Sequence, residues 1–207
     1  MLLDADDSQL VLVDYQARLM PAIFEGELVA ANALRLARIA KLLQVPLFGT
    51  VQNPDGLGPL VAELQTAIDG AGGRTLAKQH FNAVADGLGE WLRPPVRKAP
   101  QGGNARSLPK HLQRAAPEEE EGRSTIVIAG CEAHVCLMQT ALGLLDEEFE
   151  VWVVTDACSS RSERNRDAAF DRLAGAGAEL VTTEMVAFEW LGTAEHPAFK
   201  DVLALVK

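Results

Sequence analysis

The sequence lacks the features that define membrane, secreted and nucleic-acid-binding proteins. None of its apolar runs approaches the ~20 residues that a membrane-spanning helix needs. Residues 1–7 carry three acids and no basic segment of the kind that begins a secretory signal. The 19 Lys and Arg are outnumbered by 29 Asp and Glu, and the net charge of −10 disfavours nucleic acid or an anionic membrane as a partner. We therefore expect a soluble, cytoplasmic protein.

Cysteines are scarce, and the usual metal-binding and phosphate-binding motifs are absent. The 207 residues contain three cysteines, Cys131, Cys136 and Cys158, an odd number that argues against a disulfide framework and favours reduced thiols. The chain has no zinc-type spacing, no His-Glu-x-x-His, no Asp-x-His and no Gly-Lys-Ser or Gly-Lys-Thr loop. The sequence therefore predicts neither a metal site nor a cofactor.

The chain does contain a regular alternation of apolar, strand-like runs and segments with helical periodicity. Strands are predicted at residues 10–13, 45–51, 73–78, 125–129, 151–155 and 179–182. Helices are predicted at residues 27–43, 59–68, 83–92, 134–147, 163–174, 185–191 and 197–206. Nearly continuous apolar strands predict an α/β fold, a doubly wound three-layer α/β/α arrangement around a six-stranded parallel sheet. We expect one domain, 1–207, with a surface loop insertion at residues 93–122, where prolines and a run of glutamates interrupt the periodicity.

Three chemically active side chains follow the carboxyl ends of predicted strands, where ligands bind in open parallel sheets. Asp14 follows the first strand, Lys78 ends the third, and Cys136 lies in the first turn of the helix after the fourth. The helix N-terminus favours a thiolate, so a solvent-accessible Cys136 is expected to have a lowered pKa. On a helical wheel Cys136 lies opposite the leucines, on one stripe with Thr140, Gly143 and Glu147.

These residues predict nucleophilic catalysis on a carbonyl group. The Cys136 thiolate would attack and form a thioester, Lys78 would stabilise the anion, and Asp14 would transfer the proton. Backbone N–H groups of residues 133–136 would hold the oxyanion. The alternatives are structural: Asp14 as a turn residue, Lys78 as a solvated strand end and Cys136 as a small side chain at a tight packing point.

A cysteine–histidine dyad is the competing catalytic arrangement. His134 is two residues from Cys136, and side chains two apart on a helix do not face each other. His80 shares a face with Lys78 if the strand continues, but a position in the wall of the site is the simpler interpretation. His111 lies in the predicted loop and His196 near the end of the chain, so both are expected at surface positions.

Five segments together resemble the isochorismatase-like cysteine hydrolases, a family that includes the nicotinamidases. They are residues 12–16 (Leu-Val-Asp-Tyr-Gln), Lys78 with Phe81, residues 130–136 (Gly-Cys-Glu-Ala-His-Val-Cys) with residues 139–140 (Gln-Thr), residues 156–161, and residues 183–185 (Thr-Glu-Met) with Phe188. Residues 52–54 (Gln-Asn-Pro) and 56–59 (Gly-Leu-Gly-Pro) are most similar to the isochorismatase domain-containing subgroup.

The resemblance implies an Asp14, Lys78 and Cys136 triad and usually a homo-oligomer. It also implies a cis peptide between Glu132 and Ala133 that shapes an oxyanion hole completed by Cys136. Gln16, Gln52, Phe81 and His134 are the candidates for the pocket of a small-molecule substrate.

Departures from the family pattern bear on the substrate. The nicotinamidase Asp-x-His metal motif has no counterpart in residues 49–53, so nicotinamide is disfavoured. Val51 also stands where the subgroup usually has glutamate, and Cys136 argues against the vinyl-ether cleavage of isochorismatase, which lacks that cysteine. The resulting hypothesis is a metal-independent cysteine hydrolase that acts on a small amide or related carbonyl compound. A catalytically silent binding or scaffold protein is the alternative, and a peroxide-sensing thiol is a third possibility.

Overall fold

The computed structural model describes residues 1–93 and 122–207, and within them six strands form one parallel sheet. The strands lie in the order β3-β2-β1-β4-β5-β6. They are β1 (Ser8–Val13), β2 (Leu47–Gln52), β3 (Arg74–Lys78), β4 (Thr125–Gly130), β5 (Glu150–Val154) and β6 (Glu179–Val181). The direction of strand order reverses between β1 and β4, which is the point where a doubly wound sheet opens a crevice.

Helices pack against the sheet through apolar faces. They are α1 (Gly26–Leu42), α2 (Pro54–Leu57), α3 (Ala62–Gly70), α4 (Leu88–Leu92), α5 (Met138–Asp146), α6 (Glu163–Gly175), α7 (Thr183–Leu191) and α8 (Phe199–Val206). Every residue of β1, β2 and β4 is buried, as expected for parallel strands covered on both faces. The predicted α/β/α fold with a six-stranded parallel sheet is therefore confirmed.

Two predicted helices are interrupted in the structure. The helix predicted at residues 83–92 is a 3₁₀ turn (Ala83–Asp86) followed by α4, because Gly87 between them has a φ of 93°. The helix predicted at residues 134–147 begins as a single π-helical turn, Ala133–Leu137, before α5. Most of the predicted loop insertion, residues 94–121, lies outside the described residues.

Gly130 allows the ends of the two central strands to approach each other closely. It is opposite Val13 in the register of β1 and β4, and a Cβ atom at position 130 would lie 2.5 Å from both the Cβ and the carbonyl oxygen of Val13. A larger residue would therefore force the strands apart. Asp14 and Cys131, the first residues after these two strands, follow this close approach at the edge of the crevice.

Hydrogen bonds to the Asp7 carboxylate connect the start of β1 with the start of β4. Its carboxylate accepts hydrogen bonds from the Ser124 N–H, the Ser124 hydroxyl and the Thr125 hydroxyl at 2.7 to 2.9 Å. Burial alone would raise the pKa of Asp7, but these bonds and the nearby Arg123 charge outweigh it and lower the pKa below 3.8.

Asp7→Asn is expected to lower the free energy of unfolding by about 1–2 kcal/mol near neutral pH, because hydrogen bonds to a charged acceptor are lost. The pKa of Asp7 is lower in the folded state, so its stabilising effect is present above the unfolded pKa and disappears as the pH falls through the folded value. Urea unfolding should therefore show the difference in stability between the two proteins shrinking as the pH falls below 3.8. Asp6→Asn, at an exposed neighbour, is the matched control, and an equal loss in both variants would contradict this role.

Candidate active site

Three strand ends converge on a buried ion pair. The Lys78 Nζ lies 2.8 Å from the Asp14 Oδ2, and both side chains are fully shielded from solvent. Asp14 is the first residue after β1 and has a φ of 57°, a left-handed conformation that aspartate tolerates better than most side chains. Its other oxygen, Oδ1, accepts a hydrogen bond from the Thr50 hydroxyl at 2.7 Å. Both carboxylate oxygens of Asp14 are thus held by protein donors.

Gln52, at the end of β2, connects the ion pair to the thiol of Cys136. Its Oε1 accepts a hydrogen bond from the Lys78 Nζ at 2.7 Å and lies 3.9 Å from the Cys136 Sγ. Its Nε2 donates to the carbonyl oxygen of Gln79 at 2.7 Å, which fixes the orientation of the amide. One oxygen atom therefore lies against both the ammonium group and the thiol.

Cys136 lies in the π-helical turn and is 7% exposed. The prediction of a lowered pKa for its thiol is wrong for this structure. Burial and, after it, the charge of the Asp14 carboxylate raise the pKa to about 12, against the opposing effect of Lys78. The resting thiol is therefore protonated at neutral pH.

The cis peptide lies one bond earlier than predicted, between Cys131 and Glu132 rather than between Glu132 and Ala133. The predicted N–H donors to an oxyanion also need correction. The Ala133 N–H donates to the Ser159 carbonyl oxygen at 2.7 Å, and the Val135 N–H donates to the Glu132 carbonyl oxygen at 3.1 Å, so neither is free. Within residues 1–93 and 122–207, the Glu132 N–H has no protein acceptor.

The four predicted pocket residues have different surroundings. Gln16 is fully buried and bonds to the backbone of Gln52 and of Gly58, so it supports β2 and does not line a pocket. Gln52 faces the thiol. Phe81 is 50% exposed, and its carbonyl oxygen lies 3.5 Å from the Lys78 Nζ. His134 is half-buried, with its Nδ1 2.9 Å from the Ser160 hydroxyl.

No histidine takes part in the cluster around the thiol in the described part of the chain. His80 is exposed and its Nδ1 lies 3.1 Å from Asp86, while His134 is engaged by Ser160 and by Asn165. His196 caps the turn before α8, where its Nδ1 accepts from the Ala198 N–H. His111 lies outside the described residues.

Sequence reasoning missed Thr50 as a partner of Asp14 and treated Thr140 only as a residue on the Cys136 stripe. Thr50 is opposite Val13 in the pairing of β1 with β2, so its hydroxyl reaches the residue after Val13. Thr140 is fully buried, accepts a hydrogen bond from the Ala83 N–H at 3.0 Å and donates to the Phe81 carbonyl oxygen at 3.3 Å. The contact of Thr50 with Asp14 depends on the register between β1 and β2, which is known only once the strands are paired in the structure.

In residues 1–93 and 122–207, no group of three His, Cys, Asp or Glu side chains is arranged to hold a metal ion. Over the same residues, no helix combines the length and the apolar character that a bilayer crossing requires.

The fold and these contacts define a doubly wound α/β protein with a buried Asp–Lys pair beside a cysteine. The model of the isochorismatase domain matches residues 107–185. Isochorismatase domain-containing protein 2 of Homo sapiens is 36% identical over 200 residues, which cover 97% of this chain and 83% of that protein. The chain belongs to the isochorismatase family.

Solved structures agree with this assignment. The MAR1 ribonuclease of Caenorhabditis elegans has a TM-score of 0.81 at 27% identity, covering 100% of this chain and 92% of that one. YcaC from Pseudomonas aeruginosa, with hexane-2,5-diol and covalent acrylamide, has a TM-score of 0.78 at 27% identity and covers 99% and 91%. The Escherichia coli YcaC gene product, described as an octameric hydrolase of unknown specificity, has a TM-score of 0.75 at 26% identity and covers 99% and 95%.

Iodoacetamide is expected to modify Cys136 in the folded protein and to spare Cys131 and Cys158, which are 0% and 1% exposed. Because the pKa of Cys136 is raised to about 12, its alkylation rate should keep rising up to about pH 10, beyond the pKa of an ordinary cysteine near 8.5. Peptide mass spectrometry gives the site, and stopped reactions give the pH profile, with free cysteine as the reference. A plateau below about pH 8 would contradict the assignment of a protonated resting thiol.

Asp14→Asn and Lys78→Met are expected to move the Cys136 pKa in opposite directions. Asp14→Asn removes the charge that raises the thiol pKa, so alkylation at neutral pH should accelerate. Lys78→Met removes the charge that lowers the pKa, so alkylation should slow. Circular dichroism verifies that each variant is folded. A change of the same sign in both variants would show that packing, and not charge, sets the reactivity.

Proposed function

We propose that the protein is a hydrolase that cleaves a small amide or related carbonyl compound through a thioester on Cys136. The proposal rests on one observation: the Gln52 Oε1 contacts both the Cys136 Sγ and the Lys78 Nζ, and Lys78 is paired with Asp14. Family membership supports a hydrolase-type function. The covalent acrylamide on Pseudomonas aeruginosa YcaC supports a reactive nucleophile on this fold.

The first half-reaction forms the thioester and releases an amine. The Asp14 carboxylate takes the proton from the Cys136 thiol as the sulfur attacks the carbonyl carbon of the substrate. The carbonyl oxygen becomes an oxyanion, for which the N–H groups of Glu132 and Cys136 are the proposed donors. Asp14 then returns the proton to the leaving nitrogen, the C–N bond breaks, and the acyl group remains on sulfur.

The second half-reaction restores the enzyme. Asp14 removes a proton from water, the hydroxyl oxygen attacks the thioester carbonyl, and the C–S bond breaks as the proton returns to sulfur. The products are a carboxylic acid and the free thiol. Lys78 stays paired with Asp14 and offsets negative charge as it moves between the carboxylate, the sulfur and the oxyanion. The sequence of steps needs only these protein groups and water, without metal or cofactor.

The burial of the thiol favours a small substrate. At 7% exposure, Cys136 is accessible only to a narrow acyl group. A net charge of −10 disfavours RNA as a substrate. We therefore do not propose a ribonuclease activity for this chain, although the similar Caenorhabditis elegans structure is a ribonuclease by name. A silent scaffold is not favoured either, because a structural role requires no buried ion pair beside a thiol.

We also propose that the protein is a homo-oligomer. The Escherichia coli YcaC gene product, which shares the fold over 99% of this chain, is octameric. Light scattering coupled to size-exclusion chromatography measures the assembly, and a monomer at micromolar concentration would contradict it.

A screen of small aliphatic and aromatic amides tests the proposed reaction. Cys136→Ala is expected to lower kcat by at least about 1,000-fold on any amide that the wild type hydrolyses, because the nucleophile is lost. Cys158→Ala, which removes another buried thiol, is the matched control and should retain turnover. Mass spectrometry of wild-type protein quenched during turnover should show the acyl adduct on Cys136. Undiminished hydrolysis by Cys136→Ala would remove the mechanism.

A further inference from the structure

We propose that Thr140 is a positioning residue that ties the helix carrying the nucleophile to the loop that holds Lys78. This inference rests on the proposed function of Cys136 and Lys78. Thr140 lies four residues after Cys136, so one helical turn separates the two side chains. The Thr140 hydroxyl makes two hydrogen bonds to the segment after β3. It donates to the Phe81 carbonyl oxygen in the loop at 3.3 Å and accepts from the N–H of Ala83, where the 3₁₀ turn begins, at 3.0 Å.

The same loop supplies backbone oxygens to the Lys78 ammonium group. The Nζ lies 3.4 Å from the His80 carbonyl oxygen and 3.5 Å from that of Phe81, beside its shorter contacts with Asp14 and Gln52. The Phe81 oxygen therefore contacts both Thr140 and Lys78. Through this atom, the position of the ammonium group depends on the helix that carries the sulfur.

A second contact packs the loop closely against the same helix. Gly143 lies one turn beyond Thr140, and a Cβ atom there would come within 2.5 Å of the Asn82 side-chain nitrogen. The Asn82 oxygen accepts from the Val84 N–H and so fixes the 3₁₀ turn that follows the loop. On the outer side, the Asp86 carboxylate accepts from the N–H groups of Gln79 and His80. The loop is thereby held on both sides.

The arrangement has a chemical consequence for the thiol. The charged groups that act on the Cys136 sulfur are Asp14 from β1 and Lys78 from β3, and they shift its pKa in opposite directions. Asp14 is held independently by Thr50, whereas the loop side of Lys78 depends on Thr140. Loosening the loop therefore weakens the effect of Lys78 and leaves that of Asp14, which disfavours the thiolate.

The test compares Thr140→Val with Thr140→Ser. Valine has a similar shape but lacks both hydrogen bonds, so alkylation of Cys136 by iodoacetamide at a given pH should slow about threefold to tenfold, with the pH profile displaced upward. On any amide that the wild type hydrolyses, kcat should fall while KM changes little. Serine keeps the hydroxyl and should restore both to within about twofold. Thr66→Val, at an exposed helical threonine bonded to the Ala62 carbonyl oxygen, is the matched control and should behave as wild type.

Gly143→Ala gives an independent perturbation if Thr140→Val does not fold. Its added methyl group displaces Asn82 and the loop while Thr140 stays in place, so alkylation should slow in the same direction. An unchanged alkylation profile in Thr140→Val or in Gly143→Ala, with a shifted one in Lys78→Met, would overturn the positioning role. That result is distinct from failure of the proposed function, which is decided by turnover of Cys136→Ala.

Discussion

The ion pair between Lys78 and Asp14 is the interaction on which the rest of the site depends. Both side chains are fully buried, and removing each ion from water costs several kcal/mol, so the pair persists only where geometry and further hydrogen bonds compensate. Four residues in two segments supply that compensation: Thr50 and Gln52 on β2, and His80 and Phe81 through their carbonyl oxygens after β3. The strand ends and the loop are arranged around this requirement.

The burial that makes the ion pair costly to desolvate also determines the protonation state of the Cys136 thiol. A cysteine near a helix N-terminus beside a lysine would be expected to ionise easily, but the charge of the Asp14 carboxylate opposes that of the ammonium group, and solvent is excluded. The sulfur is therefore protonated at rest, and its activation requires a base in contact with it. In the proposed reaction Asp14 is that base, because its carboxylate is the buried anion whose charge acts on the thiol. A protonated resting thiol is also less easily oxidised than an exposed thiolate, which disfavours peroxide sensing as its main role.

Much of the fold could be predicted because apolar runs and helical periodicity are local signals. The meeting of Asp14, Lys78 and Cys136 could be predicted as well, because parallel strands end at the same edge of a sheet. The partners of these residues could not, since they depend on register. Gln52 is opposite Lys78, and the apolar pattern of β2 and β3 does not specify that pairing. The helical wheel likewise placed Cys136 opposite the leucines, on one stripe with Thr140 and Gly143. It could not show that the loop after β3 packs against this stripe.

The Gln52 side chain is neutral, so it does not disturb the balance of buried charges around the thiol. A buried site with one cation and one anion carries no net charge, and Gln52 adds an oxygen acceptor for Lys78 without adding a second negative charge. Because its Nε2 is committed to the Gln79 carbonyl oxygen, its Oε1 must face the ammonium group and the sulfur. A carboxylate at this position would leave the dry site negative and oppose thiolate formation further. The amide therefore gives Lys78 a second side-chain oxygen besides Asp14 without placing a second negative charge next to Cys136.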